Sequence, residues 1–546
     1  METRACSDVS AYISVYDAFL GACSKWGDAP FIGGTSRLTH MAQDLTFGDV
    51  AKLVDERIGV LRQAGYGAAN RVALLLGNRP EHFVYLLACN ALGMSIVPLN
   101  PDLTTPELAY VLSHSEAGLV ICSDEYREQA LAAAAAMDVP VPIAELHCAA
   151  LPPALQRSSP GSVMLSTEAS LLYTSGTTGK PKGCIISNEY YLYLGVFYAG
   201  CGGLVDVRPG SERILNPLPL FHQNAGIFSF MGAMLSGSCI IMTDRFHAST
   251  WWQEVVETRA TIIHYLGVMP AILLKLPFAE LEARHHVRFG VGAGVEPTQH
   301  GLFEDRFGFP LLELWGMTET GGGFMIDTEP RQVGTRAVGR PRGVSGRDLE
   351  IRLVDESGND VQQGAIGELL VRRSGPDPGR GLFSGYLKDP SATDEAWKGG
   401  WFHTGDAFWQ DDTGMLHFAE RKKNIIRRSG ENIAAMEIEA TLQAHPKVLR
   451  VAVMAVHDEV RGEEVLACVV HAVESSPEGA LADELFQWCI ERLAYYKAPG
   501  WMVFLEDLPS TSTQKVQKTR IFPAGIDPRH HPRAFDLRDR KKRVVR

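Results

Sequence analysis

The sequence predicts an α/β protein with a large N-terminal body of layered α/β subdomains, a β-rich subdomain after it and a small α+β module at the C-terminal end. Three observations carry this reading. Early in the chain short apolar runs alternate with segments of helical period, the pattern of parallel α/β layers. From about Gly339 the texture changes to short strands separated by turn residues. Beyond the charged run Arg421-Lys-Lys-Asn-Ile-Ile-Arg-Arg428 a fresh helix and strand pattern begins. At roughly 150 residues per domain, 546 residues make three or four domain-sized units.

Taken in order, Val50, Leu53, Val54, Ile58 and Leu61 recur at helical spacing and predict a helix over 47–61. The run 72–76 predicts a buried strand. After Arg79-Pro80, residues 81–93 fit a helix, 95–98 a strand, Thr105-Pro106-Glu107 a helix start and 119–123 a further strand. The Ala-rich stretch 130–136 is plain helix. Residues 225–242 carry no charge, long enough to raise a membrane span, but Ser229, Gly232, Ser236, Gly237 and Ser238 dilute them, so a buried helix followed by the strand 239–242 is expected. Strands are expected at 349–355 and 367–372 around the turn residues Glu356-Ser-Gly-Asn359. The closing module is expected as helix 436–444, strands 449–456 and 464–472, and helix 480–494. Arg533 to Arg546 is basic and predicts a solvated tail.

Composition narrows the function. Apolar residues make up 45% and charged residues 21%, which excludes wholesale disorder and supplies a large core. Lys and Arg number 52 against 64 Asp and Glu, a balance of −12 that repels polyanions, so no nucleic-acid partner is expected. The 10 cysteines show no Cys-x-x-Cys spacing and are expected as reduced thiols of a cytoplasmic protein. The polar start, with Glu2 and Asp8, lacks the apolar core of a signal peptide.

The most informative stretch is Tyr173-Thr-Ser-Gly-Thr-Thr-Gly-Lys-Pro-Lys-Gly183, directly after an apolar run. Its glycines let backbone N–H groups turn inward, its hydroxyls donate and its lysines neutralise, so a polyphosphate ligand is expected. A Walker A loop it is not, because two residues separate Gly176 from Gly179 and Pro181 follows Lys180.

With this loop the chain resembles the adenylate-forming superfamily of acyl-CoA synthetases, luciferases and peptide-synthetase adenylation domains. Further family motifs follow in order: Pro219-Leu-Phe-His222, Trp315-Gly-Met-Thr-Glu319, Gly385-Tyr386, Trp401-Phe-His-Thr-Gly-Asp406, Arg421-Lys-Lys423 and Lys515. The resemblance implies that Thr174, Ser175, Gly176, Thr177, Thr178, Gly179, Lys180 and Lys182 bind the pyrophosphate of ATP. Asp406, ending a Thr-Gly-Asp turn, would accept the ribose hydroxyls. Arg421 would take the ribose or α-phosphate side, and Trp315 would stack on adenine across from Gly292, Ala293 and Gly294. Thr318 and Glu319 would touch the α-phosphate, with Glu319 holding Mg²⁺. His222 falls between the acyl pocket and the thiol tunnel. Lys515 would bridge substrate carboxylate and α-phosphate; Gln514 stands where the family usually has Gly, and spacing favours Lys515 over Lys518.

The implied reaction is ATP-dependent: a carboxylic acid becomes an acyl-adenylate with release of pyrophosphate, then coenzyme A displaces AMP. The family alternates between these steps by swinging a mobile C-terminal domain, with Lys423 in the hinge and Gly430 lining the thiol path. The implied division is an N-terminal domain 1–420, with its β-rich part about 339–420, a hinge 421–425, a cap 426–530 and the basic tail 531–546. Phe246-His-Ala-Ser-Thr-Trp-Trp252 and Arg259-Ala-Thr-Ile-Ile-His-Tyr265 look most like the crotonobetaine/carnitine-CoA ligase branch, and Gln223 with Asn224 point to a polar or short acid. Delivery to a carrier-protein phosphopantetheine, a non-catalytic nucleotide-binding relative and a homodimer stay open as alternatives.

Overall fold

The computed structural model describes residues 9–38, 43–174, 181–341, 349–421, 424–428, 431–459, 461–472, 478–493, 495–510, 516–523 and 525–541. Ser175, Gly176, Thr177, Thr178, Gly179, Lys180, Lys423, Gly430 and Lys515 lie outside them. The chain folds as two compact units, one of Met1–Ile351 with Val371–Phe402, the other of Arg352–Leu370 with His403–Arg546.

Two sheets organise the first unit. In one, the order is Gly385–Tyr386, Lys182–Ser187, Glu168–Thr174, Ser95–Pro98, Arg71–Leu75, Leu119–Cys122 and Ile143–Glu145. Its middle strands are parallel and buried, which is why they read as continuous apolar runs rather than alternating ones. The other sheet runs Gly321–Met325, Leu311–Met317, Phe289–Ala293, Ile262–Leu266, Arg213–Asn216, Cys239–Met242, Pro30–Gly34 and Leu45–Thr46.

The helices follow their sequence signals. Phe47–Ala64 starts at a capping box, in which Asp49 N donates to Thr46 Oγ1 at 3.0 Å and Thr46 N donates to Asp49 Oδ2 at 3.2 Å. It ends at Gly65, whose φ of 89° suits only a residue without Cβ. Helix Asn188–Ala199 is buried at every position but Glu189 in its first turn, matching its apolar and tyrosine-rich circumference. The uncharged stretch forms a π-helical turn Asn224–Ser229, a helix Phe230–Ser236 and the strand Cys239–Met242. Among the described residues no helix is long and apolar enough to cross a membrane.

In the second unit, Phe402–Gln410 pairs antiparallel with Leu416–Arg421. Gly367–Arg373 and then Leu349–Val354 continue that sheet. Another sheet is built on the long antiparallel pair Val448–Asp458 and Gly462–His471, joined by Trp501–Phe504 and the hairpin Ile425–Arg428 with Glu431–Ala434. Helices Ala435–Gln443 and Glu478–Arg492 cover one face through Ile438, Leu442, Leu481, Leu485 and Phe486.

Two expectations are corrected here. Arg533 to Lys541 is not a solvated tail: Ala534–Asp536 adds a strand antiparallel to Trp501–Phe504, and Leu537 and Lys541 are buried. Charge density misled the reading, because these cations are paired. Nor is Thr404-Gly405-Asp406 a turn; it lies inside the strand Phe402–Gln410, with Gly405 at φ 67° and a register shift just beyond, between Ala407 and Phe408.

Candidate active site

Strands Arg213–Asn216, Ile262–Leu266, Phe289–Ala293 and Leu311–Met317 are mutually parallel, so their C-terminal ends share one edge of the sheet. Such an edge is where open α/β sheets place ligands, because the connecting loops and helix starts converge there. It gathers many of the residues singled out from sequence. Gly292, Ala293 and Gly294 end one strand, while Trp315 and then Thr318 and Glu319 end its neighbour. His222 follows the strand Arg213–Asn216 by a short loop.

The glycine wall is held by a residue that sequence reasoning passed over. Glu313 is buried and accepts from Gly294 N at 2.9 Å, Val295 N at 3.3 Å and Tyr265 Oη at 2.8 Å. A Cβ on Gly292 would stand 2.3 Å from the carbonyl oxygen of Tyr265, so the two strand ends approach too closely for any side chain there. Trp315 is 6% exposed and stacks on Phe324, with centroids 5.5 Å apart and planes at 18°.

Glu319 is the centre of a second cluster. Tyr386 Oη donates to Glu319 Oε1 at 2.8 Å, and Lys182 Nζ lies 4.8 Å above the Tyr386 ring and 4.0 Å from Asp389. Thr174 and Lys182 are cross-strand partners, so the two ends of the glycine-rich loop meet in this cluster. Thr318 is fixed through its carbonyl, which accepts from Tyr190 Oη at 2.8 Å. Burial and then the charge of Glu319 push the Tyr386 phenol and the Cys184 thiol well up, so both stay protonated beside the carboxylate. Tyr386 was legible as part of Gly385-Tyr386, but its partner was not, since 67 residues separate it from Glu319.

His222 is exposed, yet protein crowds it on its other sides and the lost hydration lowers its imidazole to about 4, so it is neutral at pH 7. Behind it lies a buried polar chain. His264 Nδ1 is 2.8 Å from Asn224 Oδ1, His264 Nε2 is 2.9 Å from Tyr198 Oη, and Asn216 Nδ2 donates to Asn224 Oδ1 at 3.0 Å. The side-chain oxygen of Asn224 is therefore spent on internal partners, which reduces the sequence argument for a polar acid.

Burial lowers His82 and His264 to about 3. In the unfolded chain each titrates near 6.5, so between these values the unfolded state binds more protons and stability falls as pH drops below about 6.5. Urea denaturation between pH 7 and 4 should show a loss approaching about 1.4 kcal/mol per pH unit for each histidine. Replacing His264 with Gln should flatten that limb.

The second unit contributes its own candidates. Asp406 and Arg421 are cross-strand partners, with Arg421 Nε 3.7 Å from Asp406 Oδ1. Asp406 N donates to Thr404 Oγ1 at 3.1 Å, and Thr404 Oγ1 donates to the Leu369 carbonyl at 2.7 Å, so the stretch carrying Asp406 is anchored on the next strand. Lys518 is paired with Glu439 at 2.9 Å. In the first unit, a cavity of about 390 Å³ lined by Leu53, Arg57, Glu81, Tyr85 and His147 holds none of the candidate site residues named from sequence.

Comparison with known proteins completes the description. Residues 21–387 match the family AMP-binding enzyme, and residues 437–515 match the AMP-binding enzyme C-terminal domain. Sulfoacetate–CoA ligase from Cupriavidus necator is 31% identical over 512 residues, covering 91% of this chain and 95% of that protein. Crotonobetaine/carnitine–CoA ligase from Citrobacter koseri is 29% identical over 530 residues, covering 90% and 99%. The structure of O-succinylbenzoate coenzyme A synthetase from Bacillus subtilis in complex with AMP superposes with a TM-score of 0.78 at 23% identity, covering 93% of this chain and 98% of that one.

Proposed function

The chain belongs to the AMP-binding enzyme family, and from that membership we propose how its residues share the work of an ATP-dependent carboxylic acid:coenzyme A ligase and which acids it takes. The observation that carries the assignment of residues is the cluster of Glu319, Tyr386 and Lys182 where both ends of the glycine-rich loop meet.

In the first half-reaction a carboxylate oxygen attacks the α-phosphorus, and the bond to the bridging oxygen breaks as pyrophosphate leaves. Thr174 to Lys182 receive that pyrophosphate, Gly292 to Gly294 and Trp315 form the adenine wall, Thr318 faces the α-phosphate, and Asp406 with Arg421 holds the ribose. Lys515 draws the two anions together. The pairing of Lys518 with Glu439 supports Lys515, since Lys518 already has a carboxylate partner. In the second half-reaction the sulfur of coenzyme A attacks the acyl carbon, the bond to AMP breaks and the thiol proton passes to solvent. His222, neutral and exposed, lines the route between acid and thiol. Residues 421–425, with Lys423, act as the hinge between the domains 1–420 and 426–530, and Gly430 borders the thiol.

Among the described residues no group of three or more His, Cys, Asp or Glu stands ready to hold a metal. One buried carboxylate, Glu319, fits Mg²⁺, which takes its other ligands from phosphate oxygens and water and supplies charge neutralisation when bound. Tyr386 aims that carboxylate. Replacing Tyr386 with Phe should raise KM for ATP and magnesium together by about tenfold, the scale of one hydrogen bond to a charged group, with thermal stability nearly unchanged.

The acid is proposed to be short and to carry a second charged or polar group, as the named substrates of both relatives do. Pyrophosphate release across sulfonate, betaine, aliphatic and aromatic acids tests this. Preference for a long alkyl or aromatic acid would refute it, and activity with a holo-carrier protein but not free coenzyme A would replace the acceptor.

A further inference from the structure

The C-terminal segment beyond the matched family region contributes Lys541 to a buried charge cluster that the reaction scheme does not use. Glu464 Oε1 accepts from Lys541 Nζ at 2.6 Å and Glu464 Oε2 from Arg428 Nε at 2.7 Å. The side chains of Lys541 and Glu464 are 0% exposed and that of Arg428 is 2% exposed, and Lys541 Nζ also donates to the Tyr496 carbonyl at 3.0 Å. Two cations share one carboxylate away from water. Such an arrangement is weak as a source of stability, because desolvation offsets the attraction. A methionine would fill the place of Lys541 at less electrostatic cost.

What the cluster does fix is orientation. Arg428 and Glu431 are the last pair of the hairpin Ile425–Arg428 and Glu431–Ala434, directly flanking residues 429–430. Ile426 and Ile433 bury the other end of the hairpin in the core. Toward the tip, Arg428 pairs with Gly462, and its guanidinium is held by Glu464. Glu464 is in turn set by Lys541 and by Gly500, where a Cβ would come within 2.5 Å of its side chain. The strand Ala534–Asp536 and the bond from Leu537 N to the Gly500 carbonyl at 2.9 Å carry Lys541 to that spot.

We propose that Lys541 is a positioning residue for the thiol step: the C-terminal strap, acting through Glu464 and Arg428, holds the hairpin tip beside residues 429–430 and so sets the affinity for coenzyme A. This rests on the reading that Gly430 borders the thiol. The test uses the full chain with Lys541→Met. Acid-dependent exchange of pyrophosphate into ATP should stay within about twofold of wild type, while KM for coenzyme A rises about tenfold, the scale of one displaced contact. Amide hydrogen exchange should quicken in residues 425–434 and not in helix Glu478–Arg492. Should the Met variant not fold, Lys541→Gln, which keeps an N–H for Glu464 without charge, is measured in the same way. An unchanged KM, equal loss of both half-reactions, or unchanged exchange at the hairpin overturns the proposal. Absence of coenzyme A-dependent AMP release in the wild type would instead fault the assigned acceptor, and hydrogen exchange would still report on the strap.

Discussion

Lys515→Ala should lower acyl-adenylate formation by at least about 10²-fold, the scale for removing one charge partner of a transition state. The argument is electrostatic. A carboxylate and a phosphate must come within bonding distance, and their repulsion is unscreened once water has left. An ammonium between them removes most of that cost. The partner requirement ends when adenylate has formed, so synthesis of the thioester from supplied acyl-adenylate should be spared. Lys518→Ala should leave adenylation close to wild type, because Lys518 is paired with Glu439. Loss of adenylation in Lys518→Ala with retention in Lys515→Ala would reverse the assignment.

Glu464→Gln should destabilise the second unit by about 3–5 kcal/mol, the range for breaking a buried ion pair. Removal of this one carboxylate leaves Arg428 and Lys541 buried together without an anion. Lys541→Met is milder, because Arg428 and Glu464 remain a neutral pair. The two variants also differ with pH. Burial lowers the Lys541 ammonium to about 8 from 10.5. Below that value folded and unfolded chains both hold the proton and the cost of burying it is complete. Between 8 and 10.5 the unfolded chain binds more protons, so the wild type gains stability relative to Lys541→Met as pH rises. Guanidinium titrations of all three chains at pH 7 and 9.5 measure this. A Glu464→Gln loss under about 1 kcal/mol, within the range of exposed pairs, would contradict the account.

Much of the architecture was legible because local signals agreed with the fold. Fully buried parallel strands leave continuous apolar runs, and the expected strand 95–98 is the strand Ser95–Pro98. Capping residues bounded the helices, although 47–61 continues to Ala64 because Leu61 and Ala64 still face the core before Gly65. What failed were features decided by distant partners. The basic C-terminal stretch looked solvated because its acids, Glu464 and Asp458, lie far back in the chain. Thr404-Gly405-Asp406 looked like a turn because glycine marks turns and bulges alike. Within the site, the motifs named Glu319 and Tyr386 separately, and the fold brings them together where Gly385–Tyr386 pairs with Lys182–Ser187 and Phe383 N donates to the Glu319 carbonyl. Glu313 carried no local sign at all, since a lone glutamate in an apolar strand does not reveal which backbone N–H groups it will meet. Asn224 was legible as an amide near the site but not as one whose oxygen is taken by His264 and Asn216.

The central claim is that this protein activates an acid by joining it to the α-phosphorus of ATP, a step that can be run backward by supplying pyrophosphate. Isotopically labelled pyrophosphate supplied with ATP, magnesium and a short sulfonate- or betaine-bearing acid measures it without coenzyme A. The label should enter ATP only when the acid is present, and entry should fall at least about 10²-fold in Lys515→Ala. Incorporation that is independent of any acid, or none with any acid offered, would contradict the account.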